Sequence, residues 1–140
     1  MRALISLPLL ALALLCGCPA SGGGEVDDCS PAIPSDAEPV TSSTNAVNSG
    51  GVYWVCDGGT LNIDTGDAEV YVEGGGTVNV TSGEVALWAR DGATVNVVTG
   101  EGDLVLDDGA DVIGAGESLT VIDCTDLSFD TSNAPSGGCE

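Results

Sequence analysis

A 17-residue period runs through the middle of this chain and decides what it can fold into. Gly59-Thr60-Leu61-Asn62-Ile63, Gly76-Thr77-Val78-Asn79-Val80 and Ala93-Thr94-Val95-Asn96-Val97 recur at that interval, and Ala110-Asp111-Val112 continues the series in weaker form. Gly58, Gly75, Gly92 and Gly109 keep the same spacing, as do Trp54, Tyr71 and Trp88, with Val105 and Ile122 after them. Each period holds two short stretches that alternate apolar and polar, separated by Gly, Asp and Ser. Alternation with period two excludes a helical repeat. Coils of constant length stack strand on strand, in parallel, at about 4.8 Å per step. The expectation is an all-β chain whose residues 51–125 form a short parallel β-helix, or β-solenoid, of about 4–5 coils. The crossover rule makes it right-handed.

Alternation also assigns faces. Leu61, Val78, Val95 and Val112 make one inward ladder, and Ile63, Val80 and Val97 a second. On the other strand Tyr53, Val70, Leu87, Leu104 and Val121 point inward, together with Val55, Val72, Ala89 and Leu106. A slip of one residue would turn these ladders into water, so the register is strongly specified. The corner glycines are read as turn residues with positive φ.

Outside the repeat, the N-terminus reads as a targeting segment. Arg2 is followed by the apolar run from Ala3 to Leu15 and then by small residues, the layout of a secretory signal. Leu15-Cys16-Gly17-Cys18 resembles the bacterial lipoprotein signal, which implies cleavage before Cys18 and acylation of that cysteine. The implied organisation is a signal peptide over 1–17, a lipidated Cys18 with a flexible linker over 18–28, an N-terminal cap over 29–50 and a C-terminal cap or tail over 126–140. The repeat body is similar to small β-helical domains of exported bacterial lipoproteins, a resemblance that carries architecture and location but no chemistry. Bactofilin-type polymers have coils of similar length without the cysteines, and pectin-degrading β-helices have many more coils.

With Cys16 removed and Cys18 acylated, Cys29, Cys56, Cys124 and Cys139 remain, an even set that suits two disulfides in an exported body. Cys56 and Cys124 lie four periods apart, which in a solenoid means roughly 19 Å and rules out their pairing. Cys29–Cys56 with Cys124–Cys139 is the economical expectation, each bridge closing one end of the stack.

Charge bounds the partners. The chain carries 22 Asp and Glu against two Arg, has no Lys and no His, and totals −20. Loss of Arg2 leaves Arg90 as the sole basic residue. No basic patch is there for nucleic acid or anionic lipid head groups. Without His, Lys or a free thiol, the usual bases and zinc ligands are missing, so neither enzyme activity nor a cofactor is expected. Three surface features are candidates for contacts. Trp54, Tyr71 and Trp88 form an outward aromatic column suited to glycan or protein, or merely stabilising the sheet. The outward Thr60/Asn62, Thr77/Asn79 and Thr94/Asn96 ranks resemble the Thr-x-Thr ranks of ice-binding solenoids, or else form an ordinary hydrogen-bonded polar face. The corner residues Asp57, Glu73, Asp91, Asp107 and Asp108, with Arg90 among them, lack the Gly-Gly-x-Gly-x-Asp pattern of calcium-binding β-rolls, so no metal site is assigned.

The resulting expectation is a non-enzymatic protein held to the cell envelope by a lipid on Cys18, at the outer membrane or cell surface. Its solenoid would present a binding or structural surface to an envelope protein or glycan, with the membrane met only through the lipid. The alternatives are a purely structural module that self-associates and, more remotely, an ice-binding protein or a carboxylate-dependent glycan hydrolase.

Overall fold

The computed structural model describes residues 28–46, 50–114 and 119–139. Eleven strands build two parallel sheets, with no helix among the described residues. One six-stranded sheet stacks β1 (Glu38–Val40), β3 (Gly51–Val55), β5 (Ala68–Val72), β7 (Glu84–Ala89), β9 (Glu101–Asp107) and β11 (Leu119–Cys124) in chain order. The five-stranded sheet stacks β2 (Ser43–Asn45), β4 (Thr60–Ile63), β6 (Thr77–Val80), β8 (Thr94–Val97) and β10 (Asp111–Ile113). Strands alternate between the sheets along the chain, so each β pair is one coil of the expected solenoid.

The register follows the sequence period. Trp54 pairs with Tyr71, Tyr71 with Trp88 and Trp88 with Val105, while Thr60 pairs with Thr77 and Thr77 with Thr94. At the corners, Gly58, Gly75 and Gly92 have φ of 74°, 85° and 82°. That conformation turns each of their amides to donate to the carbonyl of Gly75, Gly92 and Gly109, respectively, one coil further on.

Between the sheets lies one continuous apolar core. It contains Tyr53, Val70, Leu87 and Leu104, Val55, Val72, Ala89 and Leu106, Leu61, Val78 and Val95, and Ile63, Val80 and Val97. Each buried aliphatic chain removes enough apolar surface from water to contribute roughly 1.5–3 kcal/mol. Two residues of the inward ladders depart from this. Val112 is only partly buried and Val121 is 47% exposed, because among the described residues no further coil lies on top of theirs.

The segment before Gly51 is more than a cap. β1 and β2 form a further coil, with Val40 against Val55 and Asn45 against Asn62. Its corner is two residues shorter, so β1 pairs at a 15-residue offset (Glu38 to Tyr53) and β2 at 17 (Ser43 to Thr60). Both end coils place a carboxylate where the other coils place core. Glu38 pairs with Tyr53 and Asp123 with Leu106, and both acids are exposed. Inward charge on an end coil, with Pro39 in the edge strand, disfavours pairing with another chain.

The disulfides correct the sequence expectation. Cys29 is bonded to Cys124 and Cys56 to Cys139, with Cα–Cα distances of 5.9 and 4.9 Å. Cys56 and Cys124 are unpaired with each other, as the stacking geometry requires. Neither bridge closes an end of the stack. Both instead pin segments that run along the outer face of the six-stranded sheet. From Cys29, next to the last strand, a first strap crosses to β1 at the opposite end. That traverse covers about five steps of 4.8 Å, the reach of eight or so extended residues. From Cys124 a second strap runs the same way and ends at Cys139 on Cys56. The straps are bonded side by side: Ile33 N donates to Asp130 O, Asp130 N to Pro31 O and Ser128 N to Cys29 O, with Ala32 and Asp130 in a parallel bridge.

Candidate functional site

The aromatic column points away from the coil core, as alternation requires, but it is not an open platform. Trp54, Tyr71 and Trp88 are only 5%, 2% and 1% exposed. They form a second apolar layer with Ile33 and Ala37 of the first strap and Leu127 and Phe129 of the second. Tyr71 stacks on Trp88 at 5.0 Å between centroids, and Phe129 meets Tyr71 edge-on at 5.7 Å. Trp88 Nε1 donates to the Asp28 carbonyl at 3.2 Å and Trp54 Nε1 to Glu73 Oε1 at 3.1 Å. The Tyr71 hydroxyl donates to the Glu69 carboxylate, and burial first, then Glu69, pushes its pKa far above the ordinary phenol value. These rings hold the straps down, so a partner would reach their faces only once the straps had left.

Two positions further on, at or just past the end of each strand of the same sheet, runs the column Cys56, Glu73, Arg90, Asp107, Cys124. Its two ends are the anchor points of the straps. In its middle Arg90 donates to Glu73 Oε2 at 2.7 Å, and its guanidinium lies 5.8 Å from the Phe129 ring centre. Asp107 does not pair with Arg90; its carboxylate accepts from the amides of Asp91 and Asp108 at 3.4 and 3.0 Å. The C-terminal strap passes over this corner without filling it. A cleft of about 510 Å³ is left, lined by Trp54, Asp57, Glu73, Arg90, Thr131 and Ser136, with Ala134 and Pro135 along the strap. Asp57, Thr131 and Ser136 are exposed, and the Arg90 side chain is 43% exposed against 17% for Glu73. Asp57, Glu73 and Arg90 were expected at this corner. The strap residues were not, because nothing in a 17-residue period says where a non-repeating tail will lie.

Among the described residues, no strap lies over the five-stranded sheet. Its outer ranks are Ser43/Asn45, Thr60/Asn62, Thr77/Asn79, Thr94/Asn96 and Asp111/Ile113. The asparagines form a ladder in which each amide donates to the one before: Asn62 to Asn45 at 3.2 Å, Asn79 to Asn62 at 2.7 Å and Asn96 to Asn79 at 2.8 Å. The hydrogen-bonded polar face is therefore the arrangement found, and it reaches back one coil further than the repeat indicates. A second depression of about 360 Å³ lies at the opening ends of the six-stranded sheet, lined by Asp67, Glu69, Glu84 and Asp103 with Gly50 and Gly51. Among the described residues, no group of three or more Cys, Asp or Glu side chains is placed to share a metal ion. Cys18 and the signal segment lie outside the described residues. No protein-family model, curated protein or solved structure matches the chain.

Proposed function

We propose that this is a non-enzymatic protein of the bacterial cell envelope, anchored by a lipid on Cys18, whose disulfide-braced solenoid serves as a binding body. The observation that carries this reading is the pair of cystines fastening both straps, which calls for an oxidising compartment and so for export. The Leu15-Cys16-Gly17-Cys18 signal then accounts for retention at the membrane. Aspects of the surface favour binding over self-assembly: both end coils expose inward-facing acids, and the chain's net charge of −20 repels copies of itself. The cleft beside Arg90 is where donors, acceptors and apolar edges converge.

Intact mass and fractionation test it. Protein recovered from bacterial membranes should carry acyl mass on Cys18, and Cys18→Ser should move it to the soluble exported fraction. An unmodified Cys18, or wild-type protein found in the cytosol, would sink the envelope reading.

A further inference from the structure

We propose that the cleft between the C-terminal strap and the Glu73–Arg90 corner binds a neutral sugar unit, so that the partner of this body is a glycan. The identification of an envelope glycan as the natural source rests on the envelope reading; the site itself does not. Two neighbouring hydroxyls on a pyranose ring match the two oxygens of a carboxylate or the forked N–H groups of a guanidinium. The cleft offers both. The Asp57 carboxylate is exposed to accept, and Arg90, having given one donor to Glu73, keeps others. Thr131 and Ser136 supply hydroxyls that donate or accept, while Ala134, Pro135 and the edge of Trp54 provide an apolar wall for the C–H side of a ring.

Electrostatics narrows the class. Anionic sugars would meet Asp57, Glu73 and the field of a chain carrying −20, which one arginine does not offset. A metal ion or polyamine would need several free carboxylates together, yet of the acids lining the cleft only Asp57 is free, since Glu73 already has one oxygen on Arg90 and the other on Trp54. A neutral ligand uses donors and acceptors together without adding charge. At about 510 Å³ the space suits one or two rings.

The test uses the purified, oxidised, full-length protein against an immobilised panel of neutral hexose and N-acetylhexosamine oligosaccharides, with binders taken into an NMR titration. Saturable binding is expected, with shifts confined to Asp57, Gly74, Arg90 and 131–138. Asp57→Asn and Ser136→Ala change exposed side chains and should keep both disulfides. Asp57→Asn should weaken binding at least tenfold, whereas Thr77→Ala on the open polar face should leave it unchanged. The proposal is overturned if no panel member binds, if Asp57→Asn binds as tightly as wild type, or if the shifts fall on the Thr/Asn ranks. None of these results touches the mass on Cys18, so the site and the anchor stand or fall separately.

Discussion

Replacing Cys56 and Cys139 together by Ala is the sharpest probe of how the straps are held. Directly, this bridge spans 83 residues. With Cys29–Cys124 intact, the unfolded chain has a shorter route of roughly 40 residues through that other bridge, and the shorter loop governs the entropy that the link removes. On the chain-entropy relation a loop of that size corresponds to about 4 kcal/mol, against about 4.6 kcal/mol for the direct path. Urea unfolding followed by far-ultraviolet circular dichroism should show a midpoint lowered by roughly 1.5–4 M, given the slopes typical of small domains. Tryptophan emission reports the local consequence. The end of the strap covers Trp54, where a Cβ on Gly138 would collide with the ring, so freeing it should shift emission to the red before the coils melt. A variant within about 1 kcal/mol of wild type, with unshifted emission, would refute the idea that this bridge holds the cover down.

Other expectations separate the middle of the stack from its end. Leu87→Ala, fully buried at mid-stack, should cost about 2–5 kcal/mol in a denaturant titration, whereas Val121→Ala on the last coil should cost under about 1 kcal/mol. Asn79→Ala removes one amide that donates to Asn62 and accepts from Asn96, and should lower stability by about 1–2 kcal/mol, while Thr81→Ala on the following turn should matter far less. Tyr71 sets a pH dependence. Its folded pKa lies above the unfolded value of about 10, so the unfolded chain releases this proton first and stability falls as pH rises past about 10. In a Tyr53→Phe background, tyrosinate absorbance from Tyr71 should therefore grow in only together with loss of circular dichroism.

Much of the coil was legible because strand pairing and repeat share one number. An offset of 17 residues placed Trp54 beside Tyr71 and Thr60 beside Thr77 without any tertiary information. Legibility stopped where the period did. The β1–β2 coil was hidden by a corner two residues shorter, which shifts one of its strands out of phase. Proximity along the chain favours Cys29–Cys56 and Cys124–Cys139, but it does not discriminate between the two connectivities that the stacking allows. A better signal was available in the column itself. Cys56 and Cys124 share the outward side of the strand with Trp54 and Ile122 two positions back, so their partners had to come from chain lying over that face. Ile33, Leu127 and Phe129, apolar residues in otherwise polar tails, marked the chain that would do it. The cleft beside Arg90 needs that overlying chain and so could not be found from the repeat alone.

Because Cys29 is tied to Cys124, the whole solenoid sits inside a covalent ring of 95 residues' separation. Tension between the segment before Cys29 and the chain end after Cys139 enters the body through the two cystines, at Cys124 on the last coil and at Cys56 beside β3. The 15 residues from Cys124 to Cys139 reach roughly 50 Å at full extension, and about four strand steps of 4.8 Å already separate their ends, so the lengthening is capped at roughly 30 Å. A tethered body built this way can lengthen under shear by no more than that, because both ends of the outer strap stay fastened, whereas a solenoid bridged Cys29–Cys56 and Cys124–Cys139 would unwind coil by coil.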